Sequence, residues 1–134
     1  MSAAGVADTH TALWYLFGDP RLSVGAKQFI DQAAASRRSI EISPISLAEI
    51  VYLVEKGRIT ASALEDVRTA LDNPDHVFRE APFTKDVVNA MRKIARTEVP
   101  DMPDRIVSAT AVYFGVPVIS RDGKIRASNV QTIW

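Results

Sequence analysis

Acidic side chains are the residues of this chain whose types and spacing could do chemistry. Asp8 and Asp122 each follow an apolar, strand-like segment, and Asp101 and Asp104 open the helix that precedes the last of these. Glu49 lies inside an apolar helical stretch, with Ile45, Tyr52 and Leu53 as its i−4, i+3 and i+4 neighbours. In an open parallel sheet, ligands bind beyond the carboxyl ends of the strands, which is where such acids would gather. Two carboxylates about 4 Å apart repel by about 4 kcal/mol at an effective dielectric near 20, so a cluster must take up protons or a cation. A divalent ion removes the conflict. All-oxygen donors select a hard ion such as Mg²⁺ or Mn²⁺, and with no cysteine and no histidine pair the chain offers little to zinc.

Each acid also has a structural alternative. Asp8 and Asp101 are good helix N-caps, Asp104 at a third helical position is favoured by the helix dipole, and Asp122 before Gly123 is a common turn pair. Glu49 has the option of facing solvent beside Lys56. None of these alternatives explains why several acids should meet at one sheet edge.

The elements that must position them follow from apolar periodicity. Ala4 to Ala7 reads as a short strand running into Asp8, and Thr11 to Phe17 as a helix stopped by Gly18-Asp-Pro20. Ser23 caps a second helix carrying Ala26, Phe29, Ile30 and Ala33, and Ile40-Glu-Ile42 is a second strand. Pro44-Ile-Ser46 opens a third helix through about Lys56, apolar around nearly its whole circumference and so expected to be buried on several sides, some of it against another chain. Helices over Ala61 to Leu71 and Asp86 to Arg96 flank a strand at Val77-Phe78, with His76 before it at the surface. The helix begun by Asp101-Met-Pro-Asp104 ends at Gly115 and turns Ile106, Val107, Thr110, Ala111 and Phe114 inward. A continuous apolar strand at Val116 to Ile119, a turn at Ser120-Arg-Asp-Gly123 and a last strand from Val130 to Ile133 complete the order. The alternation predicts an α/β fold, a single domain over residues 1–134 with a parallel sheet of about four to five strands flanked by helices.

Composition bounds the remaining possibilities. The chain has 134 residues, 47% of them apolar and 24% charged, with 16 basic and 16 acidic side chains. That length suits one core and excludes a tandem architecture. The zero formal charge requires any nucleic-acid contact to be local. No apolar run is long enough to span a bilayer and no export signal opens the chain, so a soluble, cytoplasmic protein is expected. GxSxG, GxxxxGK and GxGxxG are all missing, which removes the usual signals of hydrolase, nucleotide-triphosphatase and dinucleotide-binding folds. Asp8-Thr-His10 is not the DxD that a small phosphatase needs.

Five blocks, in order, resemble a known family. Asp8-Thr-His-Thr-Ala-Leu-Trp14, Ile42-Ser-Pro-Ile-Ser-Leu-Ala-Glu-Ile50, Leu53-Val-Glu-Lys-Gly-Arg-Ile59, Asp101-Met-Pro-Asp-Arg-Ile106 and Val118-Ile-Ser-Arg-Asp122 are similar to successive blocks of PIN-domain ribonucleases, in particular VapC-type toxins of toxin–antitoxin pairs. The resemblance implies a PIN-like fold in which Asp8, Glu49, Asp104 and Asp122 bind one or two Mg²⁺ or Mn²⁺ ions, with Asp101 at a more variable position. It implies a homodimer, an antitoxin whose C-terminal segment lies across the active-site groove, and RNA products with a 5′-phosphate and a 3′-hydroxyl. Two positions depart from the family: Ala3-Ala-Gly-Val-Ala7 is less bulky than its usual first strand, and Pro103 replaces a frequent aromatic.

On that basis the four acids are the expected catalytic and metal-binding set for RNA phosphodiester hydrolysis, with a metal-acidified water as nucleophile. Ser120, two residues before Asp122, is positioned to bond an outer carboxylate, with a solvated strand-end hydroxyl as its alternative. Arg105, Arg121, Lys124 and Arg126 are the cations nearest the expected site, with Arg37, Arg38, Arg92, Lys93 and Arg96 further off. Trp14 reads as core and His10 as structural. The competing function is a catalytically silent module of the same fold, binding RNA or using its acids to receive an arginine from a protein partner.

Overall fold

Asp8 ends the first strand by capping the helix that follows, because its side chain accepts the Thr11 N–H. The same device recurs at Ser23, Ser43, Asp101 and Asp122, each of which accepts a backbone N–H of the helix it opens. In the computed structural model, which describes residues 2–134, these caps separate twelve regular elements. In chain order they are β1 (Ala3–Ala7), α1 (Thr9–Phe17), α2 (Val24–Ala35), β2 (Ser39–Ile42), α3 (Pro44–Glu55), α4 (Ala63–Asp72), β3 (Phe78–Glu80), α5 (Lys85–Ala90), α6 (Met102–Phe114), β4 (Val118–Ile119), α7 (Gly123–Ala127) and β5 (Thr132–Ile133). A single 3₁₀ turn, Met91–Lys93, follows α5. Gly18 and Gly115 stop α1 and α6 in the left-handed conformation, at φ 64° and 69°, which costs a glycine little.

All five strands are parallel, in the order β3-β2-β1-β4-β5. The expected α/β class and parallel sheet are therefore present, and β1, the segment with the weakest strand composition, occupies the centre. Val6 stands opposite Glu41 on one side and Val118 on the other. One face of the sheet packs Ala7, Ile40, Ile42, Phe78 and Ile119 with Ala26, Ile30 and Ala33 of α2. The other packs Val6 and Val118 with Val87 of α5, Val107 of α6 and Ile125 of α7. A third cluster, Leu13, Ile50, Ala63 and Val67, joins α1, α3 and α4.

The glycine of β1 has a packing reason. A Cβ on Gly5 would lie 3.1 Å from the Phe29 ring and 3.2 Å from the Pro117 carbonyl oxygen, so the strand is thin where α2 and the β4 entry press on it.

Several boundaries differ from those the sequence predicts. The strand expected over 116–119 is only two residues long because Pro117 has no N–H to give the ladder, although its carbonyl still accepts the Val6 N–H at 3.0 Å. The helix expected through Arg96 stops at Ala90, and Arg105 of α6 donates to the freed carbonyls of Met91 and Ile94 at 3.0 and 3.1 Å. The turn expected after Ser120 is a cap, with Asp122 opening α7. His76, expected at the surface, is half-buried with its Nδ1 accepting the Phe78 N–H, and burial, followed by the charge of Arg79, lowers its pKa. The apolar α3 buries Ile50 and Leu53 but leaves Val51 and Tyr52 40% and 53% exposed. No helix among the described residues is long and apolar enough to cross a membrane.

Gly5→Ala is expected to destabilise the fold by roughly 1–3 kcal/mol, because the Phe29 ring can shift whereas the hydrogen-bonded Pro117 carbonyl cannot. The check is a lower midpoint of urea unfolding at unchanged slope.

Candidate active site

The chain leaves β1 toward β2 on one side and returns to β4 on the other, so a crevice opens beyond the carboxyl ends of β1 and β4. Four acids from four chain segments reach it: Asp8 directly after β1, Glu49 from the second turn of α3, Asp104 from the first turn of α6, and Asp122 just beyond β4. They line a cavity of about 380 Å³ together with Thr9, His10, Trp14, Arg21 and Arg121. Asp101 is not among the lining residues. It is exposed, and its Oδ1 accepts the Asp104 N–H at 3.0 Å, which fixes the start of α6.

Hydrogen bonds orient three of the four acids. Asp8 Oδ1 accepts the Thr11 N–H at 2.9 Å, while its Oδ2 accepts the hydroxyl of Ser120. Ser120 is fully buried, and its Oγ accepts the Asp122 N–H at 2.9 Å, so one hydroxyl joins the two acids that follow β1 and β4. Asp122 Oδ1 in turn accepts the Lys124 and Ile125 N–H groups, each at 3.0 Å. Glu49 does not face solvent alone: Thr9 Oγ1 donates to its Oε1 at 2.5 Å.

No described cation neutralises these carboxylates. Among the described residues the ion pairs are Arg21 with Asp19, Lys27 with Asp31 and Arg68 with Glu65, none of them on a cavity acid. The unresolved repulsion shows at Asp104, whose carboxyl is pushed up to about 7 by burial first, and then by the negative charges of Asp101, Asp122, Glu49 and Asp8.

The donor set fits a hard cation by its chemistry, being oxygens only, and by its surplus of negative charge. Among the described residues, no three acidic or histidine side chains stand close enough to share one ion directly. That placement suits an ion that keeps several of its waters, as Mg²⁺ does, rather than one enclosed by protein ligands.

The cations are distributed differently from their sequence positions. Arg121 lines the cavity, with its guanidinium 4.6 Å from the centroid of the Trp14 ring. Arg105, expected there, is spent on the Met91 and Ile94 carbonyls, and the exposed Lys124 and Arg126 lie outside the cavity lining. Arg38 is also committed elsewhere, donating to Ser2 Oγ and the Ala3 carbonyl. Arg21 was not among the expected cations, yet it lines the cavity and sits 5.1 Å from the same Trp14 centroid. No motif marks it, because the turn at Gly18-Asp-Pro20 carries it back along α1. Thr9 was legible in principle as a hydroxyl beside Asp8. Trp14 is buried as expected, at 6% exposure, but it also forms part of the cavity wall, as does the exposed His10.

Residues 6–129 match the family model of the PIN domain. Ribonuclease VapC22 of Mycobacterium tuberculosis (strain ATCC 25618 / H37Rv) is 28% identical over 130 residues, covering 95% of each chain. Among solved structures, the chain is similar to VapBC2 from Rickettsia felis bound to a DNA fragment from their promoter, with a TM-score of 0.70 at 15% identity over 96% of both chains. A toxin–antitoxin complex from Klebsiella pneumoniae gives a TM-score of 0.62 at 23% identity over 92% of both. At those identities the two structures establish the likeness of fold.

An unfolded aspartate titrates near 4, so between about 4 and 7 the folded chain binds the extra proton, and stability in chelator must fall as pH rises through that window. Asp104→Asn is expected to remove most of that fall. At pH 8 the variant should gain roughly 1–2 kcal/mol, discounted for the solvent screening of a half-exposed group, or about 3–6 °C in melting temperature. A variant that melts lower, with the slope intact, would assign the proton to another group.

Proposed function

The chain belongs to the PIN-domain family, and on that premise we propose that it is a metal-dependent endoribonuclease, the VapC-type toxin of a toxin–antitoxin pair. The observation that carries this reading is the convergence of Asp8, Glu49, Asp104 and Asp122 on one cavity with no described cation paired to them. One or two Mg²⁺ or Mn²⁺ ions held there would supply the positive charge that acidifies an attacking water and offsets the charge developing on the phosphate oxygens.

The chain's own side chains prepare the site. Ser120 holds Asp8 and the backbone of Asp122 in one orientation, and Thr9 does the same for Glu49. Outer hydrogen bonds of this kind keep carboxylates aimed when a cation is absent and lower the reorganisation needed when it arrives. Asp104, whose carboxyl is pushed up to about 7 by burial and by the neighbouring acids, would give up its proton when a cation binds.

The partner assignments rest on the relatives. Solved structures of similar fold are toxin–antitoxin complexes, which supports a cognate antitoxin for this chain, and the name of the mycobacterial relative supports RNA as substrate. A homodimer, which the family resemblance implies, would have the exposed Val51 and Tyr52 of α3 available to it.

Incubated with structured RNA and Mg²⁺ or Mn²⁺, the wild-type chain should produce fragments ending in a 5′-phosphate and a 3′-hydroxyl. Asp8→Asn and Asp104→Asn should each reduce the cleavage rate by about 100-fold or more. Undiminished cleavage by either variant defeats the proposal. Mn²⁺ binding by calorimetry without any cleavage favours the silent module instead.

A further inference from the structure

The cavity that holds four unneutralised carboxylates also holds two guanidiniums, those of Arg21 and Arg121. Oppositely charged groups sharing a cavity ordinarily pair, yet among the described residues neither arginine bonds a cavity acid. Trp14, another residue of the cavity wall, offers both guanidiniums a competing partner. Its ring has the Arg121 guanidinium 4.6 Å and the Arg21 guanidinium 5.1 Å from its centroid, within the range of cation–π attraction. The indole is itself held, 6% exposed, with the Trp134 ring at 6.0 Å in an edge contact.

The two arginines are prepared unequally. Arg21 is clamped by Asp19, with Nε donating to Oδ1 at 3.0 Å and Nη2 to Oδ2 at 2.7 Å, which fixes the plane of its guanidinium and leaves Nη1 free of that bond pair. Arg121 makes no hydrogen bond through its side chain to any described residue and is exposed, so its whole donor fork is available. A backbone phosphate approaching the carboxylates meets repulsion from four acids, and the chain's zero formal charge supplies no long-range attraction to offset it. Planar guanidinium donors at the same cavity are suited to hold such a phosphate, and donors whose positions are already set lose less freedom on binding.

We propose that Arg121 and Arg21, held off the acids by Trp14, form a phosphate grip that seats the RNA backbone beside the four carboxylates. The proposal rests on the ribonuclease reading for its ligand, and assigns substrate contact to the two arginines and a positioning role to Trp14. Because the grip holds phosphate and the indole is buried, it binds RNA without reading base sequence.

The test is anisotropy of a fluorescein-labelled single-stranded RNA oligonucleotide titrated with the full chain in chelator, across a salt series. Arg121→Gln should weaken binding roughly tenfold and flatten the slope of log affinity against log salt by about 0.7, the loss of one phosphate contact on a single strand. Arg21→Gln should cost about threefold, since Asp19 already holds part of its fork. Arg68→Gln, on α4 and outside the cavity, should bind as wild type. Trp14→Phe keeps a ring and should retain binding, whereas Trp14→Leu should lose it. In cleavage assays, Arg121→Gln should raise KM with little change in kcat, whereas Asp104→Asn should lower kcat.

Wild-type affinity and salt slope in both arginine variants overturn the grip, as does a wild-type chain that binds no RNA. Equal binding by the two Trp14 variants removes the indole from it. Arginine-dependent binding without cleavage by any form would leave the grip standing and defeat the nuclease reading.

Discussion

Repulsion among carboxylates is the constraint around which this molecule is arranged. Asp8, Glu49, Asp104 and Asp122 face one cavity with no cation among the described residues bonded to them, and the cost is visible in the raised proton affinity of Asp104. A fold selected for stability alone would turn one of its sixteen basic side chains toward that cluster. Instead Arg105, the next residue after Asp104, turns to the Met91 and Ile94 carbonyls, and Arg121, the residue before Asp122, lies over an indole. The negative charge is left available to a ligand.

Holding like charges together takes rigid supports, and the backbone supplies most of them. Asp8 and Asp122 are helix caps as well as cavity acids, so the hydrogen bonds that start α1 and α7 also orient the carboxylates. Asp101 performs the capping half of this arrangement alone: it opens α6 and thereby places Asp104 one turn inside. The structural and functional accounts of an acid at a helix start are therefore compatible here, and which of them applies depends on whether the side chain also borders the crevice. Ser120 completes the support by bridging the ends of β1 and β4, which no local motif could do.

The same crevice explains the composition of the central strand. β1 must bring Asp8 between β2 and β4 while helices pack against both faces, and Gly5 leaves room for Phe29 and the Pro117 carbonyl to approach. A segment that looks weak as an isolated strand is thus suited to the most confined place in the sheet, since its hydrogen bonds are satisfied from both sides.

The alternation of elements, the acids at their junctions and the caps at Asp8, Ser23 and Asp101 were all legible in the amino-acid order, because each depends on spacing of a few residues along the chain. The bounds of α5 and β4 were not, since Arg105 and Pro117 alter hydrogen bonding that periodicity takes for granted. Nor was the assembly of the cavity wall. Arg21 reaches Trp14 only through the reversal after α1, Thr9 meets Glu49 from forty residues away, and Arg105 leaves the site its position suggested. Sequence alone determined which groups carry charge and where helices begin, through local hydrogen bonding. Tertiary structure decided which charges share a cavity and which are diverted from it, because electrostatic and cation–π energies depend on distances through space that chain order does not specify.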